Sequence, residues 1–258
     1  MGLLASPDAR PPEAQQMNGL GTVINVATVL VGGVLGVVLG DRLPERMRRT
    51  IMQGLGLVTV AVAVVSMEPL FEPDDGLRRF VILVVAMISG GLAGEALHLE
   101  ERLEGAGEKL RRRFVRSSRR DSHTRFIEGF VVASTVFCVG PLTIVGAIED
   151  GLGISVRLLA IKSALDGFAA VGFASVFGWG VLASLITLVV YQGGLTAAAV
   201  LVEPLMTDEV LAVLGAVGSL LVLGIGLRLL DIARIRVVAL LPALLIGPVI
   251  AGVLEALT

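Results

Sequence analysis

Past residue 17 the chain alternates long apolar runs with short polar breaks. The runs lie at Leu20–Gly40, Ile51–Met67, Phe80–Leu97, Phe126–Ile148, Leu158–Phe177, Val181–Leu201, Val210–Leu227 and Val237–Leu254. About 20 such residues cross a hydrocarbon core of ~30 Å as a helix. The runs are continuous rather than alternating, so a membrane β-barrel is a poor alternative. One soluble helix can be apolar all round, but eight in succession cannot. The expected fold is therefore all-α, a polytopic integral membrane bundle of about eight transmembrane helices. Seven stays open, because the second run is short and Gly178-Trp179-Gly180 alone separates the fifth from the sixth.

The polar breaks predict an orientation. Arg42, Arg46, Arg48 and Arg49 follow the first run. Arg102, Lys109, Arg111, Arg112, Arg113, Arg116, Arg119, Arg120 and Arg125 follow the third, and Arg228, Arg234 and Arg236 precede the last. With eight crossings these loops share one face, which then holds sixteen of the 21 Lys and Arg residues. The other face is acidic, with Glu68, Glu72, Asp74, Asp75, Glu149, Asp150, Glu203, Asp208 and Glu209. Basic loops stay cytoplasmic, so both termini are expected outside. The long basic loop, about residues 98–125, reads as a charged cytoplasmic helix, with anionic-lipid binding as the alternative.

Residues 1–16 are polar and proline-bearing and hold no apolar run of signal-peptide length. They are read as a disordered extension ahead of a single membrane domain, residues 17–258, with Met17 as an alternative start. Met1-Gly2 with Ser6 also fits the short myristoylation pattern, the minority reading.

Composition sharpens this picture. Hydrophobic residues make up 55% and charged residues 17%, against about 45–50% and about 25% in soluble domains. Disordered chains, disulfide scaffolds and nucleic-acid binders are excluded. Glycine numbers 32, where average usage gives roughly 18, as suits helices that pack through small residues. Gly32, Gly36 and Gly40 fall at four-residue spacing, as do Gly90 and Gly94. Gly32-Gly33 to Gly54 and Gly90-Gly91 to Gly129 look like two hairpin units, the second with a longer loop. A weaker echo from Gln192-Gly193-Gly194 to Gly218 would face the other way, as in inverted-repeat transporters.

Few residues inside the runs carry chemistry. Asp166 lies nine positions past Arg157, so about 13–14 Å into its helix, near mid-membrane. A carboxylate there by default marks an ion or proton path. Lys162, one turn earlier on the same face, is its partner; a purely structural ion pair, with Lys162 reaching the surface, is the alternative. Gln192 beside Gly193-Gly194 could line a cavity through an unwound turn, or bond between helices. Gly140-Pro141 breaks the fourth run and frees carbonyls one turn back. Asn25 is a further candidate, although Asn25, Glu95, Glu128, Glu149 and Asp150 lie near run ends, where hydration is the simpler account. Cys138 reads as packing. No phosphate loop, HExxH or nucleophile elbow occurs, so no enzyme activity, cofactor or metal is expected.

The stretch Gly21-Thr22-Val23-Ile24-Asn25-Val26-Ala27-Thr28, continuing through Gly32-Gly33, resembles a bacterial membrane family. That family is domain of unknown function 554, the DUF554 or YdfK-like proteins. Phe126 to Phe130, Phe137 to Pro141, Glu149 to Leu152, Lys162 to Phe168 and Tyr191 to Leu195 resemble it too. The resemblance covers nearly everything after Met17 and implies a multi-pass membrane protein, with no activity attached. The expected partners are the lipid bilayer and an ion or small solute, with a homo-oligomer also compatible. The expected function is a small secondary transporter or channel. The alternative is a non-transporting scaffold that recruits partners through the basic loop.

Overall fold

The computed structural model describes residues 18–40, 42–73, 75–114, 120–138 and 141–257. The N-terminal extension and the myristoylation pattern lie outside the described residues, as does Gly140. Among the described residues every regular element is helical: α1 (Leu20–Gly40), α2 (Glu45–Val65), α3 (Gly76–Ala96), α4 (Leu99–Phe114), α5 (Arg120–Cys138), α6 (Pro141–Gly151), α7 (Arg157–Phe177), α8 (Trp179–Ala197), α9 (Ala199–Val202), α10 (Asp208–Leu229), α11 (Val237–Leu240) and α12 (Ala243–Ala256), with short 3₁₀ turns at Glu68–Phe71 and Glu203–Leu205. The chain is thus an all-α, polytopic membrane helical bundle. Seven helical segments are long and apolar enough to span, α11 and α12 together forming one; α5 with α6 makes an eighth if read as a single bent span.

One expectation changes. The second span is not short, because α2 begins at Glu45. Its first turns are polar, with Glu45 at the helix start, where an anion suits the dipole. The apolar run alone therefore understates its length. The fourth run, which Gly140-Pro141 is expected to break, is two helices bent by 62°. Proline at position 141 starts α6, where a missing N–H costs nothing. Between α7 and α8, Gly178 at φ +69° provides the reversal that a side chain would resist.

Contacts fix the helix directions. Gly32, Gly36 and Gly40 of α1 face the carbonyls of Gly167, Val171 and Ser175 of α7, both series rising by four. The two helices are therefore parallel. Gly129 meets Phe177 and Val181, and Ser134 bonds Thr187, so α5 and α8 are parallel as well. Gly90 and Gly94 of α3 meet Ala243 and Ala239, an antiparallel match with the last span. Gly56 and Val60 of α2 meet Leu230 and Gly226, antiparallel with α10. A parallel α1–α7 pair requires α5–α6 to carry the chain from one end of the bundle to the other. Among the described residues the bent pair is therefore read as a broken crossing, which brings the candidate spans to eight. The two glycine units thus dock alike on backbone, but on partners of opposite direction.

The outer surface is apolar, with Val31, Leu57, Leu165, Phe168 and Val190 exposed, as contact with hydrocarbon requires. Helix α10 is the most enclosed of the seven unbroken spans, beside a core built on Phe137, Phe173, Leu188 and Leu221. Ionic contacts sit at the two ends of α3. At one, Arg79 bonds Glu209 and Glu72; at the other, Arg236 pairs with Glu95 and Glu100. Helix α4 is therefore clasped through its first turn rather than merely solvated.

The α1–α7 seam sets a test. A methyl group on Gly36 collides with the Val171 carbonyl, whereas one on Gly54 of α2 meets nothing within 4 Å. Gly36→Ala is expected to destabilise by about 1–3 kcal/mol. Gly54→Ala should be neutral or stabilising, because alanine is the better helix former by ~1 kcal/mol. Thermal unfolding of both variants in detergent measures the difference.

Candidate ion or solute site

The parallel α1–α7 contact places Asn25 against the middle of α7, and α8 closes the group from the other side. Asp166, Lys162, Asn25 and Gln192 are all brought together. The Lys162 ammonium donates to Asp166 Oδ2 and, at 2.8 Å, to the carbonyl of Phe137. The Asn25 amide donates to Asp166 Oδ2 at 3.1 Å and to Gln192 Oε1 at 2.8 Å. Gln192 donates onward to Thr22 Oγ1 at 3.1 Å, which shares a 2.9 Å hydroxyl contact with Thr196.

Burial decides between the readings these residues allowed. Asn25 and Gln192 are 0% exposed, Lys162 5% and Asp166 7%. Lys162 does not reach the surface; its charge ends on Asp166 inside the bundle. Interfacial hydration fails for Asn25 and equally for Asp150, which is 0% exposed. The Asp150 carboxylate accepts from the backbone N–H of Gly21 at 2.9 Å and of Thr22 at 3.0 Å. It thereby caps the start of α1, a helix with no acid of its own in its first turn, where free N–H groups and the dipole favour an anion.

Polar contacts therefore run without a gap from Asp150, through Thr22, Gln192, Asn25, Asp166 and Lys162, to the Phe137 carbonyl near the end of α5. That carbonyl also accepts from Thr143 of α6 at 3.3 Å, so both arms of the broken span meet the chain. One atom is left over: Asn25 Oδ1 is buried and has no donor. An unpaired acceptor in the interior is destabilising unless a ligand or water answers it.

Gly193 and Gly194 are a correction. Both lie within a continuous α8, and a Cβ on either meets nothing within 4 Å. No turn is unwound there, because the helix faces open space and nothing competes with its own hydrogen bonds. Pro141 does stand at a helix break, as the first residue of α6. Thr22, Thr196, Asp150 and the Phe137 carbonyl join the site unannounced by the sequence. The only hint was Glu149-Asp150, a carboxylate pair at a run end. A groove of about 370 Å³ runs along the α1–α7 seam past Thr28, Gly32, Ser163 and Phe168. It is apolar, and none of the charged or amide side chains of the site lines it.

A family model described as "Protein of unknown function (DUF554)" matches residues 20–252. The chain belongs to that family. It is 35% identical over 228 residues to "Uncharacterized protein YqgA" of Escherichia coli (strain K12), covering 88% of this chain and 94% of the relative. It is 29% identical over 236 residues to "Uncharacterized membrane protein YdfK" of Bacillus subtilis (strain 168), covering 92% and 97%. No solved structure matches the chain.

The buried pair obeys a sharp rule. Breaking a buried ion pair by removing one partner costs about 3–5 kcal/mol, while replacing both by apolar residues is often neutral. Lys162→Met and Asp166→Leu are each expected to lower stability by that amount. The double variant should lose much less than the sum. A double-mutant cycle by thermal unfolding in detergent reads the coupling.

Proposed function

We propose that this family member is a small secondary transporter or channel for an ion or small solute, with Asp166 as the carboxylate that the solute engages. One observation carries the reading: an ion pair at mid-span, continued by amides and hydroxyls into a hydrogen-bonded chain, with one buried acceptor left free. Charges at that depth are costly in hydrocarbon and face cavities or pathways when they occur. A purely structural pair would need no such extension.

The broken fourth span adds to this. Half-helix ends supply carbonyls that can hold a cation, and broken helices are tolerated in a bilayer where they are enclosed by protein or line a cavity. Asn25 and Gln192 orient Asp166, and Lys162 neutralises it while the site is closed. The basic loops face the cytoplasm of an inner membrane, so the end capped by Asp150 is the extracytoplasmic one. No covalent chemistry is assigned, and the solute leaves unchanged.

Purified protein in liposomes, screened for flux of protons, alkali and divalent cations and small organic solutes, is the test. Asp166→Asn should reduce the flux about tenfold or more, since a hydrogen bond to a charged group contributes ~1.5–3 kcal/mol. Undiminished flux in that variant removes Asp166 from the mechanism. Absence of flux for every solute returns the chain to the scaffold reading.

A further inference from the structure

We propose that Lys162 is a tethered stand-in for the transported ion: the site exchanges a monovalent cation, one for one, with the proton that Lys162 carries. The inference rests on the transporter reading above and names its substrate class.

The Lys162 ammonium occupies the place a bound cation would take. Its partners are oxygens, the Asp166 carboxylate and the Phe137 carbonyl. The Asn25 amide turns its nitrogen to Asp166, and its oxygen Oδ1 is buried and without a donor. Carboxylate and carbonyl oxygens suit hard cations rather than soft metals. Among the described residues, no group of three or more His, Cys, Asp or Glu comes together as a metal site.

Charge selects the valence. Among the described residues Asp166 is the single carboxylate in contact with Lys162, and the other buried carboxylate nearby, Asp150, is committed to the amides of α1. The titratable groups facing the pair from neighbouring helices are few. Cys138 of α5 interacts electrostatically with both members, and Tyr191 of α8 lies beyond Cys138. A thiol and a phenol are both neutral in their ordinary state at neutral pH. From α1, among the described residues, comes the uncharged Asn25, and Arg48 of α2 bonds Gly40 at the far end of α1.

Protonated Lys162 with ionised Asp166 makes a neutral site. When Lys162 gives its proton to water on the open side, the neutral amine no longer holds Asp166. A monovalent cation entering between the carboxylate and the Phe137 carbonyl restores zero net charge. A divalent cation would leave a net positive charge in a medium of low dielectric, where an unbalanced charge is strongly disfavoured. Exchange is therefore electroneutral, and the cation and the Lys162 proton exclude one another.

The experiment uses the full chain in phosphatidylethanolamine–phosphatidylglycerol vesicles holding a pH-sensitive dye. Sodium, potassium and lithium gradients are imposed in turn. At least one of these ions should drive protons the opposite way, at a rate unaffected by an imposed membrane potential. Lys162→Arg preserves the positive charge but cannot release its proton, and its exchange should fall to the level of empty vesicles. Binding provides a readout apart from transport. In detergent, the active cation should raise the wild-type unfolding temperature more in alkaline than in acidic buffer, because protonated Lys162 competes with it. Cation flux without proton counterflow, a potential-dependent rate, or stabilisation independent of pH overturns the exchange. Flux of a different solute, with no effect of these cations, overturns it and leaves the transporter reading standing. Complete absence of flux removes both.

Discussion

Direct approach of the α1 and α7 backbones is the contact on which the remaining polar architecture rests. Gly32, Gly36 and Gly40 bring α1 onto the carbonyls of α7 without an intervening side chain. In hydrocarbon, where lipid and side chain are equally apolar, such closeness gives helices a reason to associate. It also fixes register. With the glycines seated at Gly167, Val171 and Ser175, the one asparagine of α1 has a single place to be, beside Asp166. A wider seam would leave the Asn25 amide short of that carboxylate and the Asp150 carboxylate short of the first amides of α1.

Register then propagates along α1. Its first amides reach Asp150 of α6, Thr22 reaches Thr196 and Gln192 of α8, and its asparagine reaches α7. One helix thus links three others through contacts that a bilayer cannot replace with water. The broken fourth span takes part at both arms, with Phe137 of α5 accepting from Lys162 and Asp150 of α6 capping α1. A displacement of α6 against α5 is felt at the cap and at the ion pair together.

Local features of this arrangement were legible in the sequence, and non-local ones were not. Helix content and span positions follow from continuous apolar runs. The Lys162–Asp166 pair follows from four-residue spacing within one helix. Asn25 looked interfacial because its distance from a run end was measured along α1 alone. The neighbours that bury it lie 141 and 167 residues away. Asp150 was misjudged for the same reason: a carboxylate at a run end is ordinarily hydrated, and only the packing of α1 onto α6 makes it a cap. Gly193-Gly194 failed differently. Glycine permits unwinding without requiring it, and a helix with open space on that side has nothing to gain by breaking its own hydrogen bonds.

The placement of charge separates two groups of helices. Helices α3, α4, α10 and the segment leading into α11 are tied by ion pairs at the bundle ends, Arg79 with Glu209 and Glu72 at one and Arg236 with Glu95 and Glu100 at the other. These contacts sit at the helix ends, although Arg79 and Glu209 are themselves buried there, and they resist splaying. In α1, α7 and α8 the strong polar contacts among described residues lie in the interior instead, where each bond is stronger and each unmade bond more costly. A bundle needing only stability could keep its charges at the ends, as the first group does. The second group carries an ion pair at mid-depth, flanked by a broken helix. That asymmetry within one chain is the physical ground for the role proposed for α1, α7 and α8.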